Sequence, residues 1–182
     1  MHTDPIYFVD TETTGLSAIK HEIIEICILR RQDGEVDRQW TWRVNPEHLY
    51  RANPRALVIN GFDIEVWAET GLSQSEAAKE CAEVLRSPGT IVAHNAQFDI
   101  KFLIAMMHQQ NQAFSFPDNV VCTRTLAHQL SGVTGWDSCS MDAIRGYLNW
   151  STEGAHTATK DVDDLAKLYD YLILLISDRV SV

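Results

Sequence analysis

Asp33-Gly34 stands between two runs of strand-forming residues, Glu22 to Arg31 and Glu35 to Val44. A two-residue Asp-Gly connection of this kind predicts an antiparallel hairpin. A further apolar run, Ile6 to Val9, comes before it, so three strands are expected in sequence ahead of any long helix. Beyond them, Asn45 to Phe62 reads as irregular, punctuated by Pro46, Pro54 and Gly61, with at most a short helix over Pro54 to Ile59. The pattern then changes. Ser73 and Glu76 have capping-box spacing at the head of a helical run to about Leu85, which Pro88-Gly89 ends. Thr90 to His94 is a short β-branched strand, and apolar positions Phe98, Phe102, Leu103, Ala105 and Met106 suit a helix lying on a sheet. A strand at Asn119 to Cys122 follows, then helices over Thr123 to Leu130, Ser140 to Leu148 and Ala158 to Ile176. A meander followed by alternating strands and helices implies an α/β architecture with a mixed sheet.

A chain of 182 residues, 45% of them hydrophobic, suits one compact domain, taken here as residues 1–182. The opening Met1-His2-Thr3-Asp4-Pro5 does not read as a secretion signal, and no apolar run approaches the roughly 20 residues that span a bilayer. Cys27, Cys81, Cys122 and Cys139 form no C-x-x-C pair and are expected as reduced, buried thiols of a cytoplasmic protein. With 25 acidic against 15 basic side chains, the net charge of −10 disfavours a broad phosphate-binding surface. It leaves open a nucleic-acid substrate reached through metal ions held by acids. Arg38, Arg43, Arg51 and Arg55, with Trp40, Trp42 and Tyr50 among them, read as a solvated surface with packing aromatics rather than a nucleic-acid flank.

The chemistry is concentrated in three short stretches. In "YFVDTETTGL" the carboxylates Asp10 and Glu12 follow an apolar strand one residue apart, so they share a strand face and repel each other. "HNAQFD" places His94, Asn95 and Asp99 at a strand-to-helix junction, and "GAHTATKD" places His156 and Asp161 near the start of the last helix. Five residues of regular helix would set His156 and Asp161 about 140° apart, so His156 is expected on the loop and Asp161 in the first turn. Singly, each of these residues could be a cap or a turn. Together, four carboxylates and a histidine can hold two Mg²⁺ or Mn²⁺ ions and supply a base for water. G-x-x-x-x-G-K-[ST] and G-x-S-x-G are absent, and His21 to Glu25 misses H-E-x-x-H at its last position.

The stretches "DTETTGL", "HNAQFD" and "HTATKD" resemble, in order and spacing, the three motifs of the DnaQ-like, DEDDh-type 3′-to-5′ exonucleases, a likeness running from about Ile6 to Tyr171. The resemblance implies a ribonuclease H-like three-layer fold, with a mixed central sheet flanked by helices. It implies Asp10, Glu12, Asp99 and Asp161 as ligands of two divalent cations, with His156 as general base. Thr13, Thr14, Gly15 and Leu16, with His94, Asn95 and Phe98, would bind the terminal nucleotide. Asn60 stands where a histidine is usual in a substrate loop, and Thr157 and Val162 replace an arginine and an alanine of the third motif. The implied activity is release of nucleoside 5′-monophosphates from nucleic-acid 3′ ends, expected single-stranded, with DNA favoured. The alternatives are an RNA-trimming exoribonuclease and a catalytically silent binding module of the same fold. A polymerase partner is conceivable, but the chain ends shortly after its last predicted helix, so no appended polymerase-binding region is expected.

Overall fold

A computed structural model describes residues 4–117 and 119–180; the opening Met1-His2-Thr3, Asp118 and the last two residues lie outside it. The central sheet contains β1 (Ile6–Thr13), β2 (Ile23–Gln32), β3 (Glu35–Arg43), β4 (Thr90–Ala93) and β5 (Asn119–Cys122) in the order β3-β2-β1-β4-β5. The first three strands form the expected antiparallel meander, turning at Asp33 and Gly34, both with positive φ. β4 and β5 join parallel to β1, so the sheet is mixed.

The helices are α1 (Pro54–Ile59), α2 (Ile64–Thr70), α3 (Gln74–Leu85), α4 (Ala96–Gln109), α5 (Thr123–Gln129), α6 (Ser131–Thr134), α7 (Met141–Tyr147) and α8 (Ala158–Val180). Alternation along β1 divides the core between them. Tyr7 and Val9 face the layer built by α3 and α4, where Ala78, Leu85, Leu103 and Met107 are buried. Phe8 faces α8, packed among Val162, Leu165 and Ala166. A third cluster joins Ala127 of α5 and Ile144 of α7 to Leu168 and Leu172 of α8. These are the three layers expected of a ribonuclease H-like fold.

The structure departs from the sequence expectations in four places. β1 continues past Val9 to Thr13, held by β2 through Thr13↔Ile23 with a register shift after Glu12. α2 occupies a stretch with little helical periodicity because Asp63 caps it, accepting from the N–H groups of Glu65 and Val66, while buried Trp67 donates to the Ile24 carbonyl at 2.7 Å. α6 is a single turn with no side-chain cap. Of the four thiols, Cys27 and Cys81 are buried as expected, but Cys122 and Cys139 are only partly so, because both border a surface cleft. Among the described residues no helix is long and apolar enough to cross a membrane.

Candidate active site

β1 outlives its neighbour. Pairing with β4 ends at Phe8↔Val92, whereas pairing with β2 continues to Thr13, so among the described residues the C-terminal half of β1 has no strand beside it on the β4 side. The carboxylate of Asp99, in the first turn of α4, takes the vacated position: its Oδ1 accepts from the Thr11 N–H at 3.1 Å and from the Thr11 hydroxyl at 2.9 Å. A side chain thus replaces a ladder hydrogen bond, which satisfies a buried donor and brings an acid to the end of the strand.

On the opposite face of β1, Asp10 and Glu12 point toward the start of α8, and Asp161 from its first turn joins them. One carboxylate oxygen from each of the three lies within 4.8 Å of the others. Asp99 stands outside this trio but acts on it through its charge. Glu25, directly opposite Glu12 on β2, adds a fifth carboxylate on the same face and accepts the Ala158 N–H at 3.2 Å at the head of α8. Glu25 is invisible to motif reading because the strand register alone brings it in.

Burial and this concentration of like charge move the acids together. Asp10 is held well above the usual carboxylate range by burial and then by Asp99, Asp161, Glu12 and Glu25. Glu12 is pushed up to about 8 by burial, Asp161, Glu25 and Asp99, and burial raises Asp99 to about 7 against the lowering effect of Thr11. Asp161 is raised less, because Arg145 offsets the effect of its burial. Oxygen donors that are costly to ionise together are the donor set that a hard divalent cation matches, so the residues present fit Mg²⁺ or Mn²⁺.

Arg145 of α7, which the sequence does not single out, is fully buried and organises three acids. Its Nε donates to Asp164 Oδ2 at 2.8 Å, Nη1 to Asp142 Oδ1 at 2.9 Å and Nη2 to Asp161 Oδ1 at 2.5 Å. Lys160 also bonds Asp164. A charged guanidinium can be buried there because each of its three faces meets a carboxylate.

His156 lies on the loop before α8 and Asp161 in its first turn, as the spacing predicts. Its side chain is 45% exposed, its φ is +64°, and its N–H donates to Asp161 Oδ1 at 3.3 Å. Nε2 lies 3.7 Å from Asp142 Oδ2. Left-handed backbone at a non-glycine residue costs about 1–2 kcal/mol, and here it aims the imidazole at the rim of the acidic site. Asp10, Asp161, Asp142, Arg145, His156 and His94 line one cavity of about 230 Å³.

The residues expected to bind a terminal nucleotide fall into separate groups. Thr13, Thr14 and Gly15 form a tight loop: Thr13 Oγ1 donates to the Gly15 carbonyl at 2.7 Å, and Thr14 Oγ1 accepts the Glu22 N–H at 2.9 Å. Asn60 joins them by donating to the Thr13 carbonyl at 2.9 Å, and Leu16 projects outward, 84% exposed. A Cβ on Gly15 would lie 2.6 Å from the His21 ring, so the small residue there makes room for His21. Phe98 packs on Phe102 with ring centroids 4.8 Å apart. Both His94 nitrogens are engaged, Nδ1 with the Thr123 hydroxyl at 3.0 Å and Nε2 with the Cys139 carbonyl at 2.9 Å, and burial lowers its pKa to about 4. Asn95, in a left-handed conformation before α4, faces a different cleft.

A second three-residue group, Glu22, Glu47 and His48, also brings its ligand atoms within 4.8 Å. Glu22 is already committed there, accepting from the N–H groups of Glu47 and His48 and lying 3.0 Å from His48 Nδ1, so it anchors the loop after β3.

Comparison with known proteins matches residues 7–169 to the RNase_T family, described as exonuclease. Ribonuclease T of Haemophilus influenzae (strain PittGG) is 28% identical over 187 residues, covering 93% of this chain and 80% of that protein. The PolC-type DNA polymerase III of Latilactobacillus sakei subsp. sakei (strain 23K) is 26% identical across 95% of this chain and 12% of its own length. Among solved structures, E. coli Exonuclease I in complex with a dT13 oligonucleotide superposes with a TM-score of 0.82 at 14% identity, a likeness of fold. The alignment covers 94% of this chain, which spans less than half of that protein, 41%.

Proposed function

The chain belongs to the RNase_T exonuclease family, DnaQ-like with a ribonuclease H-like fold, and carries a 3′-to-5′ exonuclease domain; on that premise we propose that it removes nucleoside 5′-monophosphates from single-stranded nucleic-acid 3′ ends. The observation that carries this reading is the convergence of Asp10, Glu12 and Asp161 within 4.8 Å, with Asp99 behind them and His156 at the rim. We take residues 1–182 as a single catalytic domain working in the cytoplasm.

In this reading Asp10, Glu12 and Asp161 hold two Mg²⁺ or Mn²⁺ ions, and Asp99 contributes from the neighbouring edge. When bound, such ions stabilise the charge on the attacking and leaving oxygens of the phosphodiester. His156 is the general base: its exposed imidazole can accept a proton from water approaching the rim and pass it to solvent. Asp142 and the Asp161 contact to its backbone keep the ring near the acids. Arg145 fixes the rotamer of Asp161. The loop Thr13–Leu16, braced by Asn60, and the ring of Phe98 receive the terminal nucleotide.

DNA is the favoured strand, consistent with the PolC-type and Exonuclease I relatives. A specific observation supports RNA as the second reading: the ribonuclease T relatives align over four-fifths of their own length. The test is a panel of 5′-labelled single-stranded DNA, duplex DNA, short RNA and structured RNA, incubated with Mg²⁺ or Mn²⁺ and then with chelator. Stepwise shortening to nucleoside 5′-monophosphates, abolished by chelator, is expected. Failure to shorten any substrate would leave the silent binding module as the better reading.

A further inference from the structure

Next to the catalytic cavity lies a larger cleft of about 660 Å³, within the roughly 300–1,000 Å³ typical of ligand sites. The two share a wall. His94 lines the catalytic cavity, while the Cys139 carbonyl it bonds, and Asn95 next to it in the chain, belong to the cleft. Arg124 and His128, four residues apart on α5 and both exposed, project into this cleft with Thr125 and Ser138. Among the described residues Asp137 is the one acid in its walls.

Arg30, Arg31, Arg86 and Arg145 are paired with carboxylates, whereas Arg124, like Arg38 and Arg55, has no side-chain hydrogen-bond or ion-pair partner among the described residues, and of these three it is Arg124 that lines the cleft beside the acids. Its charge nevertheless reaches the catalytic side, where it helps to depress His94. In a chain of net charge −10, an unpaired guanidinium beside an acidic catalytic cavity is a site for an anion.

The topology says which anion. The Thr13–Leu16 loop returns to β2 and is tied to α1 through Asn53 and Asn60, on one flank of β1. The cleft is built by the segments that follow β4 and β5, on the other flank. A strand whose last nucleotide rests on the loop and whose scissile phosphate lies at the acids must continue away from the loop. We infer that the cleft is the track for the body of the substrate strand, on the 5′ side of the bond being cut, with Arg124 and His128 taking backbone phosphates and Asn95, Thr125 and Ser138 bonding sugar and phosphate oxygens. This inference rests on the exonuclease reading above.

The test compares Arg124→Gln, Arg124→Lys and His128→Gln with the unaltered full chain on two substrates: the p-nitrophenyl ester of thymidine 5′-monophosphate, which carries no upstream nucleotide, and a ten-nucleotide single strand. Arg124→Gln is expected to lose on the order of tenfold more kcat/KM on the strand than on the ester, chiefly through KM. Its dependence of log kcat/KM on log salt should flatten by about 0.7 for one lost phosphate contact. Arg124→Lys should restore that slope. Equal losses on both substrates, or an unchanged slope, would overturn the track. Should the unaltered chain cut neither substrate, the exonuclease reading fails, and fluorescence anisotropy of the labelled ten-mer in Mg²⁺ decides the cleft separately. A tenfold weaker Kd in Arg124→Gln would uphold it, and equal binding or none would reject it.

Discussion

At the residue scale, the site depends on charge placed where charge is costly. Asp99→Asn keeps an Oδ1 that can accept from Thr11, so the variant should fold with a near-native Tm yet lose cleavage by orders of magnitude. Intact cleavage in a folded Asp99→Asn protein would remove Asp99 from the ion-holding set. His156→Ala should cost about 10²–10⁴-fold in kcat with little change in substrate binding, the scale of general-base loss. Arg145 is a positioning residue with a structural burden: replacing it with Ala leaves Asp164 to Lys160 and Lys167 and releases Asp161, and should destabilise by about 3 kcal/mol in urea denaturation. Arg145→Lys, which keeps the charge but not the fork, should be milder in stability and raise the Mn²⁺ concentration needed for half-maximal activity.

At the element scale, the segments most readable from sequence are those with local signals. The Ser73 and Glu76 box is fully formed, with Ser73 Oγ accepting from the Glu76 N–H at 3.2 Å and Glu76 Oε2 accepting from the Ser73 N–H at 2.9 Å. Ser73→Ala should therefore cost about 1 kcal/mol in unfolding free energy and leave kcat/KM unaltered, since α3 packs on the face of the sheet away from Asp10. The end of β1 was not legible in the same way. The apolar run stops at Val9, and although the spacing of Asp10 and Glu12 reads as one strand face, the strand reaches Thr13 because β2 supplies partners that far and Asp99 supplies one to Thr11. α2 has little helical periodicity of its own; beyond its Asp63 cap, it is held by Trp67 donating to the Ile24 carbonyl, a contact 43 positions distant.

At the scale of the whole molecule, the acidic centre links stability to pH and to metal. Glu12, raised from 4.5 to about 8, and Asp99, raised from 3.8 to about 7, bind more protons folded than unfolded. Their contribution is complete below the unfolded values and is lost as pH climbs through the folded ones. His94, lowered from 6.5 to about 4, acts in the opposite sense, its contribution being lost as pH falls below 6.5. Between about pH 6.5 and 8.5 the two acids outweigh the tail of the His94 contribution, so the Tm of the chelated protein should fall with rising pH across that window. Mn²⁺ should raise the Tm, most at the high end, because binding to N but not U stabilises and the ion competes with protons for the same oxygens. A chelated Tm that is flat or rises over this window would contradict the raised carboxylates.

Asp10, Glu12, Asp99, His156 and Asp161 stand out in the sequence by itself as candidates for chemistry, because each lies in a short stretch whose side-chain types and spacing, taken together, suit metal-assisted hydrolysis. The hairpin, the mixed sheet and the long last helix were legible for the same reason, since turn chemistry and periodicity act over short distances. Only the tertiary structure decided how the acids meet. Thr11 finds Asp99 across 88 positions and Glu25 caps α8 across 133, so both contacts follow from strand register and layer packing. The burial of Arg145 among three carboxylates, and the cleft that sets Arg124 beside the acids, arise where α5 and α7 meet α8. Local pattern carries the chemistry of single groups; distance, burial and field belong to the assembled chain.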